Sequence, residues 1–231
     1  MRLLLSILMA VTLGSPAFAG PLEDGLEAYK KGKWDDAVLL LRPLAEKGNA
    51  AAEEKLGRLY ERGKGVQRDY AAAAMWYRKS AEKGDAAAQA RLALMLRLGM
   101  GGKRDAREAF GWYRRSAEQG NALGQVGAGI MAMEGVAAPI DYAAALGWFR
   151  KAAAQGDALA MSSLGSLYEQ GHGVAKDFVQ AYAWYTRASK DDGEYDQDVF
   201  DRAKRACEEL AKRMTPVQVE EARKLAASSK L

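Results

Sequence analysis

The chain has little of what most chemistry at a protein site needs. It holds one cysteine, one histidine and five prolines among 231 residues. A lone thiol, Cys207, excludes an internal disulfide, so packing alone must hold the fold. Cys207 shares a helical face with Val199, Ala203, Leu210 and Met214. That pattern predicts a buried thiol acting as a small apolar group, with a reactive or dimerising thiol as the alternative. Blocks of like charge are also missing. The net charge is +4, and basic and acidic residues alternate as on a solvated helix surface. Without a basic block, nucleic acid is not an expected partner.

Long apolar runs are confined to the start. Met1-Arg2 is followed by the uncharged stretch Leu3 to Leu13, the break Ser15-Pro16, and Ala17-Phe18-Ala19. This is the layout of a secretory signal peptide over residues 1–19, cut after Ala19, which predicts a periplasmic or secreted chain. The run is far shorter than the roughly 20 residues that span a bilayer. No cysteine at the cleavage point offers a lipid anchor, and no later segment is apolar enough for stable membrane insertion.

What the sequence does have is a period. Trp76, Trp112, Trp148 and Trp184 are evenly spaced by 36 residues. Asp69, Asp105, Asp141 and Asp177 keep the same step, as do Gly48, Gly84, Gly120 and Gly156, and Gly63, Gly99, Gly135 and Gly171. Several residue types on one period signal a repeat architecture. Each unit reads as two helices. Asp69 caps an alanine-rich helix running to Lys83. Lys83 suits the negative helix end, and Gly84 supplies the left-handed turn after it. Asp85 then caps the next helix, Ala86 to Leu98, ended by Gly99. Asp105 with Glu108 has capping-box spacing, and Asp177 with Gln180 resembles it.

A helix that stops and restarts within two residues makes an antiparallel pair. Stripes such as Leu56, Leu59 and Tyr60, or Leu164, Leu167 and Tyr168, leave one face of each pair uncovered. Gly57, Ala93, Gly129 and Gly165 sit where a neighbouring helix can approach closely. Stacking buries the stripes at roughly 1.5–3 kcal/mol per large side chain, so the expected product is an all-α, α/α superhelix. The predicted layout is one repeat domain over 20–231. It has an N-terminal pair at 22–48, repeats of 36 residues over 49–190, and capping helices within 196–229. Thr215-Pro216 marks a helix start in that cap.

Leu56-Gly57-Arg58-Leu59-Tyr60, Gly63-Lys64-Gly65-Val66, Asp69-Tyr70, Ala74-Met75-Trp76-Tyr77 and Ser80-Ala81-Glu82-Lys83-Gly84 together resemble the Sel-1-like repeat, a longer-looped relative of the tetratricopeptide repeat. Leu164-Gly165-Ser166-Leu167-Tyr168, Gly171-His172-Gly173-Val174, Asp177, Ala181 and Trp184 form a second good copy. Residues 22–47 are closer to a plain tetratricopeptide unit. The third loop departs from the pattern, since Gly135-Val136-Ala137 lacks the second glycine. The resemblance implies a solenoid serving as an adaptor or scaffold for proteins, with exported bacterial relatives acting at the envelope.

In tetratricopeptide-like superhelices the first helix of each pair lines the concave face. Transferred by register, that face holds Glu54, Arg58, Glu61 and Arg62, then Ala90, Leu94, Arg97 and Leu98. Val126, Ile130, Met133 and Glu134 follow, and Ser162, Ser166, Glu169 and Gln170 close the set. Leu94, Leu98, Val126, Ile130 and Met133 are expected to lie exposed together as an apolar groove, flanked by Arg58, Arg62, Arg97 and Glu169. Such a patch marks a protein or peptide site. The alternatives are burial inside the molecule by tight coiling or a folded-back tail, and burial in a homodimer. The expected state is a monomer or weak dimer.

No catalytic, metal or cofactor residue is assigned. His172 has Lys64, Met100 and Val136 as register-mates, which reads as a loop tip. Gly99-Met100-Gly101-Gly102 follows no strand and is a weak phosphate loop. The aspartates are caps and the tryptophans are expected to pack between units. The reading is therefore a non-catalytic interaction scaffold. A cell-wall glycan or peptidoglycan module would need several tryptophans exposed in one groove. A peptidoglycan hydrolase would need paired carboxylates in a cleft.

Overall fold

The computed structural model describes residues 20–190 and 197–228. The expected signal peptide over 1–19 and the polar stretch Asp191-Asp192-Gly193-Glu194 lie outside the described residues. Twelve helices and no strand are found among the described residues. They run in antiparallel pairs. These are α1 (Pro21–Lys30) and α2 (Trp34–Glu46), α3 (Ala50–Arg62) and α4 (Tyr70–Glu82), and α5 (Ala86–Leu98) and α6 (Ala106–Glu118). Then come α7 (Ala122–Glu134) and α8 (Tyr142–Ala153), α9 (Ala158–Gln170) and α10 (Phe178–Ala188), and the closing α11 (Gln197–Ala211) and α12 (Pro216–Ala227).

Local chemistry sets these boundaries. Each repeat's first helix starts on a side-chain oxygen: Asn49 accepts from the N–H of Ala52 at 3.0 Å, and Asp85 from Ala88 at 2.8 Å. Asn121 and Asp157 do the same for Gly124 and Ala160. Each ends on a left-handed glycine, Gly63, Gly99, Gly135 or Gly171, where a side chain would strain the backbone. Asp69, Asp105, Asp141 and Asp177 cap the second helices.

The capping box expected at Asp105 and Glu108 is only half formed. The Glu108 N–H donates to Asp105, but its carboxylate turns sideways to Arg78 and Trp112. Between Asp177 and Gln180, too, only the backbone half is made. The reciprocal box is at Thr215 and Gln218, opening α12.

Small residues do what their spacing predicts. A Cβ on Gly57, Gly129 or Gly165 would lie 2.8, 2.6 or 2.7 Å from the ring of Tyr77, Phe149 or Tyr185. The three pairs from α3 to α8 are also clasped at one end. Ser80 and Ser116 hydroxyls donate to the carbonyls of Ala50 and Ala86. Lys83 pairs with Glu53, and one and two repeats later the same clasp is an amide pair, Gln119 to Gln89 and Gln155 to Gln125.

Every other step along the first helices touches, α1 with α3, α5 with α7 and α9 with α11, while α3 with α5 and α7 with α9, like α4, α6 and α8 with one another, make no comparable contact; at the end of the stack α10 also packs on α12. Over α1–α10, like-helix contacts of this kind fall on the first-helix side, at α1 with α3 and α5 with α7, and that side is the inner one there. α11 and α12 close the end against α10.

The third loop does differ. Gly65, Gly101 and Gly173 take left-handed turns against the preceding pair's second helix; Ala137 does not. The N–H of Lys64, Met100 and His172 bonds back to the first helix, and no equivalent Val136 bond forms. The loop still closes through the Asp141 N–H to the Ala132 carbonyl at 2.9 Å.

Candidate interaction surface

The five apolar residues expected to share a groove are not exposed together. Val126 is buried in the core, with 3% of its surface exposed. Its register-mates Glu54 and Ala90 are buried as well. The first half of each first helix is covered by its neighbours where the stack is tightest, so this position faces the core and not a groove. Leu94 is partly buried against the cluster of Tyr113, Leu92 and Met131. Ile130 and Met133 are partly buried against a different cluster, with Phe149 and Leu164. Leu98 alone of the five is open, at 56% exposure. For Val126, burial by coiling replaces the expected groove; for Leu94, Ile130 and Met133, each shows a rim and hides the rest.

The charged residues named with them are mostly engaged. Arg58 is held by the Glu54 carboxylate one turn earlier. Arg97 pairs with Glu134 at 2.7 Å and so bridges α5 to α7. Glu169 accepts from the Tyr185 hydroxyl at 3.1 Å and from Arg213 at 2.7 Å, tying the closing segment to the last repeat. Arg62 is exposed at the end of α3. The inner side thus offers Arg62, Leu98 and the Arg97–Glu134 bridge, with apolar rims between them.

A buried relay beneath this surface escaped the sequence reading. The Tyr77 hydroxyl donates to Glu61 at 2.6 Å, as Tyr185 does to Glu169. The partner pair in the third repeat is Met133 with Phe149, where acceptor and hydroxyl are lost together. Burial, then the adjacent carboxylate, pushes both tyrosines well above the ordinary phenol range. Burial pushes Tyr113 up to about 12. The Tyr77 and Tyr185 hydroxyls act as donors to their carboxylates. The first and last repeats carry the Glu–Tyr pair in the same register, but the second keeps its tyrosine with Arg97 in the acceptor position, so the copies give only a partial signal.

The tryptophans are packing residues. Trp76, Trp112 and Trp184 are at most 8% exposed, and Trp148 is half-buried. Lys79, Arg115, Lys151 and Arg187 each place a cation over the tryptophan three residues earlier. That arrangement covers the ring faces a sugar would need. His172 is not a bare loop tip: it stacks on Tyr142 with centroids 4.4 Å apart. Cys207 is half-buried beside Thr186, and burial raises its thiol pKa. No group of three or more potential metal ligands is found among the described residues. No helix among them is long and apolar enough to cross a membrane.

The Sel1 repeat model matches residues 50–85, 86–121, 122–157 and 158–192. Among solved structures, the chain is similar to a Sel1 repeat protein from Oxalobacter formigenes. That likeness has 28% identity and a TM-score of 0.72, covering 91% of this chain and 85% of that one. A Sel1 repeat protein from Klebsiella pneumoniae is 20% identical with a TM-score of 0.52, over 81% of this chain and 89% of that one. An immunity protein from Pseudomonas aeruginosa is 16% identical with a TM-score of 0.50, over 90% and 88%. The last two likenesses speak to fold alone. None of the curated proteins matches the chain. Sel1 repeat proteins commonly serve as non-catalytic scaffolds for protein interaction. With four matched copies covering more than half its length, the chain belongs to the Sel1 repeat family.

Proposed function

We propose that this chain is an exported scaffold that takes a segment of another protein along the inner side of its helical stack. The observation that carries the reading is the contact of α5 with α7, bridged by Arg97 and Glu134. It gathers exposed Leu98, the rims of Leu94, Ile130 and Met133, and the charges of Arg62, Arg97 and Glu134 on one side. A large exposed leucine beside a fixed ion pair suits a partner that brings one apolar anchor and polar neighbours. Export rests on the signal-like residues 1–19. The tryptophan rings, already covered by cations, favour protein over glycan as the partner.

Two measurements test it. N-terminal sequencing after cell fractionation should give Gly20 as the first residue, outside the cytoplasm; an uncut cytoplasmic chain would sink the export half. Leu98→Glu with Arg62→Glu should keep the helical spectrum and lose the proteins that co-purify with the wild type. Retention of the same proteins at wild-type yield would sink the inner-face half.

A further inference from the structure

One copy of the repeat holds a carboxylate between its second helices, and a later copy with the same arginine and tryptophan holds none. Between α4 and α6, the Glu108 carboxylate accepts from Arg78 and from the indole N–H of Trp112 at 3.0 Å. Two repeats later the same positions hold Arg150, Gln180 and Trp184. The arginine and the tryptophan persist, but the acid is replaced by a neutral amide. The consequence is visible in the bonding. Trp184 is only 6% exposed, and its indole N–H has no acceptor. Arg150 reaches only the Tyr168 hydroxyl, at 2.9 Å. Arg187, across the indole ring, is held by the carbonyls of Ala226 and Ser228. Neither guanidinium is in an ion pair among the described residues.

These groups line one cleft of about 320 Å³ between α8, α9 and α10, with Arg150, Tyr168, Gln180, Trp184 and Arg187 on its walls. The other two copies differ in kind. Ala72 and Ala144 stand where Glu108 does, and Arg114 is taken by Glu118. Among the described residues, only the α8–α10 cleft joins an orphaned buried donor to two guanidiniums that lack a carboxylate. An N–H buried without an acceptor is costly, and a guanidinium fork matches a carboxylate in geometry and charge.

We propose that this cleft is a binding site for a carboxylate of a partner chain, an acidic side chain or a C-terminus, which completes the arrangement Glu108 makes internally. One carboxylate oxygen accepts from Arg150 and the indole N–H of Trp184, once the Gln180 side chain swings aside. Arg187 adds charge from the far wall. The site stands apart from the inner-face reading, since neither Leu98 nor Arg62 contributes to it.

The test follows the tryptophan indole N–H resonances of the ¹⁵N-labelled chain in solution. N-acetylglutamate amide offers a side-chain carboxylate, N-acetylglycine a terminal one, and sodium chloride controls ionic strength. The Trp184 resonance should move with at least one carboxylate and not with chloride, while that of Trp112 stays put. The more effective compound identifies the source. Arg150→Gln should weaken the response about tenfold or more. Gln180→Glu should restore the internal carboxylate, shift the Trp184 resonance without ligand, and abolish the response. A Trp184 resonance unmoved by both carboxylates, or moved equally by chloride, overturns the proposal. So does an unchanged response in folded Gln180→Glu.

Discussion

At the residue scale, the same amino acid does opposite things at different places in the repeat. Gly165 lies against the Tyr185 ring, 2.7 Å from where a Cβ would stand, while Gly147 in α8 has nothing within 4 Å. Gly165→Ala should cost about 1–3 kcal/mol through overpacking. Gly147→Ala should stabilise by about 0.5–1 kcal/mol, because alanine restricts the unfolded chain and suits a helix. Denaturant melts of the two variants check the signs. The close-approach glycines were legible as a register of small residues. Which ring each one met was not, because that depends on how far the neighbouring helix leans in.

Glu108 gives a second residue-scale prediction. Its hydrogen bond from Arg78, helped by that of Trp112, holds its carboxyl below the ordinary value of 4.5. A depressed carboxyl contributes stability that is present above the ordinary value and is lost as pH falls through the folded one. Glu108→Gln should therefore lower stability near neutrality and flatten the acid limb below about pH 4.5. The pair is about a third exposed, so the effect should stay within about 1 kcal/mol. An acid limb identical to wild type would mean that the bridge contributes nothing. The sequence suggested a capping role for Glu108; its carboxylate instead accepts from Trp112 one turn later and from Arg78, which comes from the helix 30 residues earlier and lies beyond the reach of any local pattern.

At the scale of the element, boundaries were the most legible feature. Glycine and Asn/Asp carry their meaning in their own backbone and side-chain geometry, so their period gave the helix limits within a residue or two. Asp141→Ala removes the side chain that accepts from the Ala144 N–H at 2.9 Å and should cost about 1 kcal/mol. Thermal unfolding would register it, and Asp141→Asn should recover most of the loss. Faces of helices were less legible. Val126 was assigned outward by analogy of register, yet the packing of α7 against both α5 and α8 leaves its start no outer face. The groove shrank accordingly to Leu98 and the rims around it. The clasp at the pair ends shows the converse. Lys83 with Glu53, then glutamine with glutamine, keeps one geometry with different chemistry, and only the structure shows that those positions are partners.

At the scale of the whole molecule, each pair packs on its neighbours in the chain, and stability should spread along the stack in nearest-neighbour fashion. The inner side is made by no single helix; it is formed where first helices meet, above all at α5 with α7. The proposed scaffold role rests on that contact and on the exposed leucine beside it. The most direct measurement is photocrosslinking of the chain in its native cell. A photoreactive phenylalanine analogue would stand at position 98 on the inner side, or at position 75, where Met75 is exposed on α4. The account predicts a discrete crosslinked protein from position 98, lost when Arg62→Glu is added, and none from position 75. Crosslinking from position 75 alone, or none from position 98, would contradict it.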